Sequence, residues 1–263
     1  MLPARGPLVT GPPPLVSQIG CTMTTVKGHM KIPILVPLQL EARALRHRLE
    51  EIADVHVIGP RAQQLPMAAG FEDRALVVVA GIAGGLDPQL RCGDAVIEGV
   101  DPAVALPARA RQGRIHTSPA VVSTPAAKTE LRRRTGADVV DMEHAVVAER
   151  WRGSGVGIVG VRVVADAHDE PLPPFMETLV DERGRSIWAR AAWKGLTNPR
   201  DGLAMAAMGR RTRRACRSLS RVLSELLPGL RNDLGQPITE LAHPSRGSGP
   251  PPAALGAPAG TKA

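Results

Sequence analysis

The feature that most constrains the fold is a set of runs in which apolar residues follow one another without alternation. Such runs occupy residues 32–38, 75–80 and 157–164. A strand with one face in water alternates apolar and polar residues, whereas a strand covered on both faces does not. The runs therefore predict strands of a sheet that lies between layers of helices, in a single α/β domain.

Helical segments alternate with these runs. The sequence predicts helices over residues 41–51 and 143–151. A further helix is predicted to begin at Thr124, where threonine caps the first turn and Pro125 occupies the first helical position. Gly136 is a natural end for that helix. The alternation of strands and helices supports the α/β assignment.

A glycine-rich segment, residues 81–85, follows the second strand and is predicted to be a turn. Glycines in such a turn let backbone amides come close to an anion or a water molecule. Residues 94–100 and 120–122 are predicted to form weaker strands.

The last helix is predicted to begin at Asn198-Pro199 and to end at Pro228-Gly229. At 3.6 residues per turn, five arginines form one stripe, and an apolar face lies opposite. The stripe consists of Arg210, Arg213, Arg214, Arg217 and Arg221, and the apolar face of Ala215, Cys216, Leu219, Val222, Leu223 and Leu226. Such a helix either packs on the core with a solvated basic face or lies on an anionic membrane.

Composition limits the classes of function. The formal net charge of +8 favours anionic partners, but two Phe, three Trp and no Tyr leave few platforms for base stacking. The three cysteines are far apart and without metal-site spacing, which is typical of a reduced, cytoplasmic protein. The longest apolar run, residues 75–86, is too short to span a bilayer. We expect a domain over residues 30–230 between disordered segments 1–29 and 231–263.

Two apolar runs deliver carboxylates at their ends, Asp141 to Glu143 in one and Asp166 in the other. Cleaving a ribose–purine bond requires a protonated leaving base, a stabilised cationic sugar and a nucleophile on the opposite face. Asp166 ends a buried run, where desolvation raises a carboxyl pKa and suits it to act as an acid. Taken from the pattern alone, each acid is equally compatible with a structural role.

The combined motifs resemble the nucleoside phosphorylase superfamily, on the branch of the methylthioadenosine/S-adenosylhomocysteine nucleosidases. The resemblance rests on residues 41–46, 81–88, 93–94, 124–128, 140–143 and 162–166. It implies a three-layer α/β/α domain with a mixed central sheet, a homo-oligomeric assembly, no cofactor and no metal.

The resemblance also implies roles for individual residues. Asp166 and Glu41 are the implied catalytic residues, the first as the acid at the purine nitrogen and the second acting on the nucleophile. Glu143 is implied to hold the ribose hydroxyls and Met142 to pack beneath the sugar. Two further positions, Ala83 and Gly84, complete the predicted substrate-binding set.

The segments around residues 169–174, 181–185 and 198–199, with the arginine-rich helix, resemble the hopanoid-associated phosphorylases. That resemblance implies release of adenine from adenosylhopane, a lipid-linked nucleoside, at the cytoplasmic side of a membrane. Residues 120–122 are aliphatic and Ala165 replaces a serine of the nucleosidases, which argues against small nucleoside substrates.

Several alternatives stay open at the level of sequence. Cleavage by water or by inorganic phosphate as co-substrate is undecided, with Arg43 and Arg46 as the cations nearest the glycine segment. His144 either contacts phosphate or packs locally. A methylthioadenosine/S-adenosylhomocysteine nucleosidase is the alternative enzyme. A nucleic-acid-binding protein or a nucleoside sensor without activity is the alternative of another class, although the three separately placed carboxylates argue against nucleic acid as a partner.

Overall fold

The continuous apolar runs form the central strands of a mixed sheet, as predicted. The computed structural model describes residues 31–65, 75–172 and 199–233, which lie within one compact unit. In these ranges the strands are β1 Ile32–Val36, β2 Ala53–Val57, β3 Leu76–Gly85, β4 Ala95–Glu98, β5 Ala110–Gln112, β6 Ile115–Thr117, β7 Val139–Asp141 and β8 Gly157–Asp166. The α-helices are α1 Gln39–Leu49, α2 Pro125–Thr135, α3 His144–Arg150 and α4 Pro199–Asp233.

The sheet order is β2-β1-β3-β8-β4-β5, and in addition β7 pairs with β3 and β6 pairs with β7. Strands β2, β1, β3 and β8 are parallel, and β4 runs antiparallel to β8. The last residues of β3, Gly84 and Gly85, pair with β7 in the antiparallel sense. The long strands β3 and β8 therefore run side by side, and the carboxyl end of β3 is paired with both β8 and β7.

Helices cover both faces of the sheet. On one face, α1 and α4 pack on alternate residues of β1 and β3 such as Ile34 and Val78. On the other face, Val147 of α3 and Trp151, which follows the last residue of α3, pack on the strand residues that point to that side, such as Leu35. This arrangement is the predicted three-layer α/β/α domain, and it explains why the strands carry apolar residues without alternation.

The predicted start of α2 is confirmed. The Thr124 side chain accepts a hydrogen bond from the Ala127 amide at 3.2 Å, and Pro125 is the first helical residue. Gly136 ends the helix with φ of 65°, and its amide donates to the Arg132 carbonyl at 2.7 Å. Helix α1 begins two residues before the predicted position, at Gln39, because Glu41 in its first turn accepts the Leu38 amide.

The predicted glycine-rich turn is wrong: residues 81–85 continue strand β3. The ladder persists because β8 remains paired with β3 as far as Asp166, with one irregularity between Ala83 and Gly84. Instead, the lack of a side chain at Gly84 allows the side chains of neighbouring residues to approach the strand closely. A Cβ at Gly84 would lie 3.3 Å from Asp166 Oδ2 and 3.2 Å from Val140 Cγ1.

The strand predicted at residues 120–122 is also wrong, because this segment has no strand pairing and forms irregular chain before α2. The short strands β5 and β6 have too few residues for the periodicity that identifies a strand, and the sequence did not predict them.

Helix α4 begins at Pro199 as predicted but passes through Pro228 and ends at Asp233. A proline inside a helix removes one backbone hydrogen bond. Burial of Leu226, Leu227 and Leu230 on the core offsets that loss and holds the last turns in place. The apolar face predicted for this helix is buried, and the arginine stripe is exposed.

Within the three described ranges, no helix combines the length and apolar character needed to cross a bilayer. Of the predicted disordered segments 1–29 and 231–263, residues 231–233 instead form the end of α4, and residues 1–29 and 234–263 lie outside the described residues.

Candidate active site

A cavity of about 290 Å³ opens at the carboxyl ends of β3 and β8. All six residues assigned to the site from the sequence line it: Glu41, Ala83, Gly84, Met142, Glu143 and Asp166. They come from α1, from the end of β3, from the loop after β7 and from the end of β8. The fold thus brings together residues that are more than one hundred positions apart in the sequence.

Asp166, the last residue of β8, is 6% exposed and pairs with a buried lysine. Its Oδ2 atom lies 2.6 Å from Lys128 Nζ. Burial raises the pKa of Asp166 to about 6, against the opposing effect of the Lys128 ammonium. A carboxyl group with that pKa can hold a proton near neutral pH and give it to a ligand.

Lys128 is a residue whose role sequence reasoning missed. Its side chain is fully buried, and besides Asp166 it donates to the Ala167 carbonyl at 2.6 Å and to the Glu170 carbonyl at 2.9 Å. All three protons of the ammonium group therefore have acceptors. The available signal was a lysine in the first turns of a capped helix in a chain where arginine is the common cation.

Glu41, in the first turn of α1, is fully buried and lines the same cavity. Its two oxygens accept backbone amides, Oε1 from Ile82 and Oε2 from Leu38, each at 2.8 Å. Burial raises the pKa of Glu41 to about 8, and the nearby Glu143 carboxylate adds to the rise. Gly81 leaves room for this carboxylate, since a Cβ there would lie 3.1 Å from Oε1.

Glu143 is 6% exposed and precedes the first residue of α3. Its Oε1 atom accepts the Arg61 amide at 2.9 Å, and Oε2 lies 3.4 Å from the Met142 amide. Burial raises the pKa of Glu143, while the Arg162 guanidinium opposes the rise. Both glutamates thus present buried carboxyl groups that can accept hydrogen bonds from ligand hydroxyls.

A buried ion pair behind the cavity fixes the loop that carries Met142 and Glu143. Arg162 is fully buried, and its Nε and Nη2 atoms contact Asp141 Oδ2 at 2.8 and 2.5 Å. Burial opposes ionisation of Asp141, but Arg162 and the Thr117 hydroxyl hold its pKa below the usual value. Because Asp141 also accepts the His144 amide at 2.8 Å, the pair anchors both ends of the loop.

His144 packs locally and does not line the cavity, which decides between the two roles considered for it. It is 9% exposed, and its Nε2 atom lies 3.6 Å from Glu98 Oε2. Burial and the Arg162 guanidinium lower the pKa of His144 to about 4, so the ring is neutral at physiological pH.

Two arginines that sequence reasoning missed, Arg61 and Arg211, line the cavity. Arg211 comes from α4, pairs with Glu170 at 2.8 Å, and its Nε has no partner among the described residues. Arg43 and Arg46, the cations nearest the glycine segment in sequence, are exposed on α1 and lie outside the cavity lining. No local sequence pattern identifies Arg211 as a site residue, because it lies more than forty residues after Asp166 in the chain and reaches the cavity only through α4.

Most of the remaining wall is apolar. Residues 120–122 line the cavity and contribute aliphatic rather than aromatic side chains, and Ala165 lies beside the acid. The other apolar contributors are Pro37, Leu38, Pro60, Ile82, Val140, Leu172 and Met208. Among the described residues, no group of three or more His, Cys, Asp or Glu side chains is placed to hold a metal ion.

Comparison with known proteins supports the fold seen here. The model of the phosphorylase superfamily matches residues 98–187, a segment that contains Asp141, Glu143 and Asp166. No curated protein sequence matches the chain.

Solved structures match most of the chain at low sequence identity. The 5'-methylthioadenosine/S-adenosylhomocysteine nucleosidase of Helicobacter pylori is 14% identical, with a TM-score of 0.53 over 77% of this chain and 99% of that one. The corresponding enzyme of Neisseria meningitidis is 16% identical, with a TM-score of 0.53 over 75% and 98%. The futalosine hydrolase of Helicobacter pylori is 15% identical, with a TM-score of 0.51 over 76% and 98%.

The matched segment and the matched fold agree with one another. The first carries three of the acids around the cavity, and the second reproduces the sheet on which they lie. The chain therefore has the α/β fold of the 5'-methylthioadenosine/S-adenosylhomocysteine nucleosidases and, over residues 98–187, the sequence pattern of the phosphorylase superfamily.

Proposed function

We propose that this protein cleaves the N-glycosidic bond of an adenine nucleoside and releases adenine. The observation that carries the proposal is that the carboxyl groups of Asp166, Glu41 and Glu143 belong to residues that line one cavity, together with Met142. The structurally similar nucleosidases include one solved with 5'-methylthioadenosine in its active site and one solved with adenine, which supports the same class of substrate.

In this proposal Asp166 is the general acid. It gives its proton to a purine ring nitrogen while the bond between C1' and the base breaks and its electron pair passes to the base. The Lys128 ammonium then stabilises the aspartate that is left, at 2.6 Å from Oδ2. The positive charge that develops on the sugar is stabilised by the carboxylates of Glu143 and of ionised Glu41.

Glu143 accepts hydrogen bonds from the ribose hydroxyls, and Met142 provides the apolar surface under the sugar. In the fraction of molecules in which Glu41 is ionised, it takes the proton of the nucleophile as the nucleophile's oxygen bonds to C1', so that one proton is delivered to the base and one is removed from the nucleophile. The Leu38 and Ile82 amides hold the Glu41 carboxylate in one orientation for this step. Ala83 and Gly84 contact the ligand through the backbone.

The nucleophile we propose is inorganic phosphate, which makes the reaction a phosphorolysis. The support is the presence of two guanidinium groups in the cavity lining, Arg61 and Arg211, since guanidinium and phosphate form paired, charge-assisted hydrogen bonds. Hydrolysis is the alternative, and the similarity to nucleosidases and to futalosine hydrolase favours it.

The nucleoside we propose is adenosylhopane, whose sugar carries a large polycyclic hydrocarbon. The support is the apolar wall formed by Leu38, Val121, Val122, Leu172 and Met208, which suits a hydrocarbon substituent. The exposed arginine stripe of α4 suits a peripheral contact with an anionic membrane, where such a substrate resides. A homo-oligomer is part of the proposal, and light scattering after size exclusion tests it.

The test is adenine release by the purified protein from an adenosylhopane-containing lipid extract and from methylthioadenosine, each with and without phosphate. Release from the lipid that depends on phosphate supports the full proposal. Release from methylthioadenosine without phosphate supports a nucleosidase and overturns the hopanoid substrate. No release from either contradicts an enzymatic role and favours a nucleoside sensor, while salt-sensitive retention on DNA would favour a nucleic-acid-binding protein.

The matched variant for this test is Asp166→Asn. The amide is of similar size and keeps an oxygen acceptor for Lys128, but it cannot protonate the purine. We expect a loss of roughly 10²-fold to 10⁴-fold in turnover, as for removal of a general acid. The exposed Asp54→Asn, in β2 and distant from the cavity lining, is the control. Near-normal turnover of Asp166→Asn with unchanged circular dichroism would contradict the role of this acid.

A further inference from the structure

A second pocket, of about 370 Å³, lies on the surface beside α4 and is lined by arginines. We define the arginine pocket by its lining residues: Gly93, Arg109, Arg214, Arg217, Ser218 and Arg221. None of these residues lines the cavity described above. The arginine pocket therefore lies outside the machinery proposed for nucleoside cleavage.

Three of the four guanidinium groups have no counter-ion among the described residues. Arg109 pairs with Asp94 at 2.6 Å, but no carboxylate of the described residues pairs with Arg214, Arg217 or Arg221. Asp94 is already occupied, because it also accepts the Arg91 amide at 2.7 Å. The pocket thus holds an excess of positive charge.

The sequence of α4 increases this excess. No aspartate or glutamate occurs between Asp201 and Glu225. Arg214, Arg217 and Arg221 follow one another at spacings of three and four residues, so their side chains are neighbours on one helix face. Like charges at these spacings destabilise a helix, and a bound anion removes that repulsion.

The wall of the pocket is built by specific contacts between α4 and the segment before β4. The Ser218 hydroxyl donates to the Gly93 carbonyl at 2.6 Å, which fixes the helix against this segment. Gly93 has φ of 94° and lies close to Arg214, since a Cβ there would be 3.6 Å from Nε. The concave shape therefore comes from packing between two parts of the chain, in contrast to a row of arginines on an open helix surface.

We propose that the arginine pocket binds a phosphate group, either the headgroup of an anionic lipid or a free diphosphate. Guanidinium forks match phosphate oxygens in pairs, and several forks in one concavity match an anion with more than one charge. This proposal extends the membrane contact proposed above, because the pocket would provide a defined binding site for a lipid headgroup at that contact. It does not depend on adenine release, and its test has a separate readout.

Helix α4 offers a matched pair of double variants. Arg217→Ala/Arg221→Ala removes two guanidinium groups from the pocket. Arg210→Ala/Arg213→Ala removes the same charge from the same helix outside the pocket lining. Neither pair lines the catalytic cavity, so both variants should keep the wild-type rate on a soluble nucleoside.

The measurement has two arms on the full chain: calorimetric titration with pyrophosphate, and co-sedimentation with phosphatidylcholine vesicles that contain or lack phosphatidylglycerol. We expect the pocket variant to bind roughly tenfold more weakly or worse, and the helix control to change by less than about twofold. Binding in both arms identifies a lipid headgroup, and binding of pyrophosphate alone identifies a soluble diphosphate.

An equal loss of binding in the two double variants would overturn the proposal, because it would show that binding depends on the total charge of the arginine stripe and not on the arginine pocket. The absence of binding in both arms would overturn it as well, as would tighter binding to duplex DNA that both variants weaken equally. If the wild-type protein releases no adenine but binds pyrophosphate through Arg217 and Arg221, the proposed function fails and the phosphate site stands.

Discussion

The Lys128 ammonium lies 2.6 Å from Asp166 Oδ2 in a fully buried position, so the acid at the end of β8 is held by a cation on α2. A buried charge without a partner is costly, which explains why the two groups occur together. The pair gives Asp166 a fixed orientation and opposes the rise in pKa that burial causes. Lys128 thus acts as a positioning residue for the proposed acid.

Replacing Lys128 with methionine should shift the pH dependence of adenine release. Without the ammonium, the pKa of Asp166 rises above its value of about 6, and the break at that pH in kcat/KM should move to higher pH. Lys128→Arg keeps the charge and should retain the break with a lower rate, because the larger guanidinium does not fit a fully buried site. A pH–rate profile of both variants measures this.

Lys31→Met, at a half-buried lysine outside the cavity lining, is the control and should leave the profile unchanged. Circular dichroism at each pH separates a shifted profile from unfolding. An unmoved break in a folded Lys128→Met protein would show that the lysine only supports the structure.

Glu41 should make the protein less stable as the pH rises. Its pKa is about 8 in the folded protein and 4.5 in the unfolded chain, so the folded state binds more protons between these values. The stability contributed by the neutral carboxyl is complete below pH 4.5 and is lost as the pH rises through 8. Urea unfolding of wild type and Glu41→Gln from pH 5 to pH 9 tests this.

The difference in free energy of unfolding, wild type minus Glu41→Gln, should decrease over that range by roughly 2–4 kcal/mol, since each unit of pKa shift corresponds to about 1.4 kcal/mol. Glu50→Gln at the exposed end of α1 is the control and should show a much smaller change. A difference that stays constant with pH would contradict a raised pKa for Glu41.

The sequence could predict a residue of this site when the residues next to it in the chain identify its position. It could not do so when the role of the residue depends on a partner that is distant in the chain. Asp166, Glu41 and Glu143 lie at the ends of regular elements, and both periodicity and the resemblance identify such positions. Lys128 and Arg211 act across the fold: α2 brings one to β8, and α4 brings the other to the cavity. No pattern within α2 or α4 reports which partner the fold will place beside them.

The glycine segment illustrates the opposite error. Residues 81–85 have the composition of a turn, and a single sequence does not reveal that the ten-residue strand β8 pairs along β3 as far as Gly84. Gly81 and Gly84 are required because the carboxylates of Glu41 and Asp166 approach the strand closely at these positions. Gly84, which the sequence predicts to share one site with these acids, lines the cavity with them, whereas the backbone predicted for the segment was wrong.

Breaking the Arg162–Asp141 pair should be strongly destabilising. Both side chains are fully buried, and Arg162→Met leaves the Asp141 carboxylate without its cation. We expect a loss of about 3–5 kcal/mol in the free energy of unfolding, as for buried pairs that lose one partner. Arg152→Met breaks the exposed pair with Glu149 and should cost less than about 1 kcal/mol. If urea denaturation gives similar losses in the free energy of unfolding for the two variants, the expected effect of burial on the Arg162–Asp141 pair is contradicted.

Gly84→Ala should reduce adenine release much more than it reduces stability. The added Cβ would lie 3.3 Å from Asp166 Oδ2 and 3.2 Å from Val140 Cγ1, so the carboxyl must move away from the position that Lys128 gives it. Because a misplaced catalytic group costs up to about a hundredfold in rate, we expect a fall of roughly tenfold to a hundredfold in kcat.

The control for this variant is Gly229→Ala, where no atom lies within 4 Å of the added Cβ. That change should leave the rate unaltered and stabilise α4 by about 0.5–1 kcal/mol, because alanine is the better helix former. Steady-state kinetics and thermal unfolding of both variants provide the comparison. A Gly84→Ala protein with a normal rate would show that Asp166 tolerates displacement, and the proposed acid would then have to lie elsewhere in the cavity.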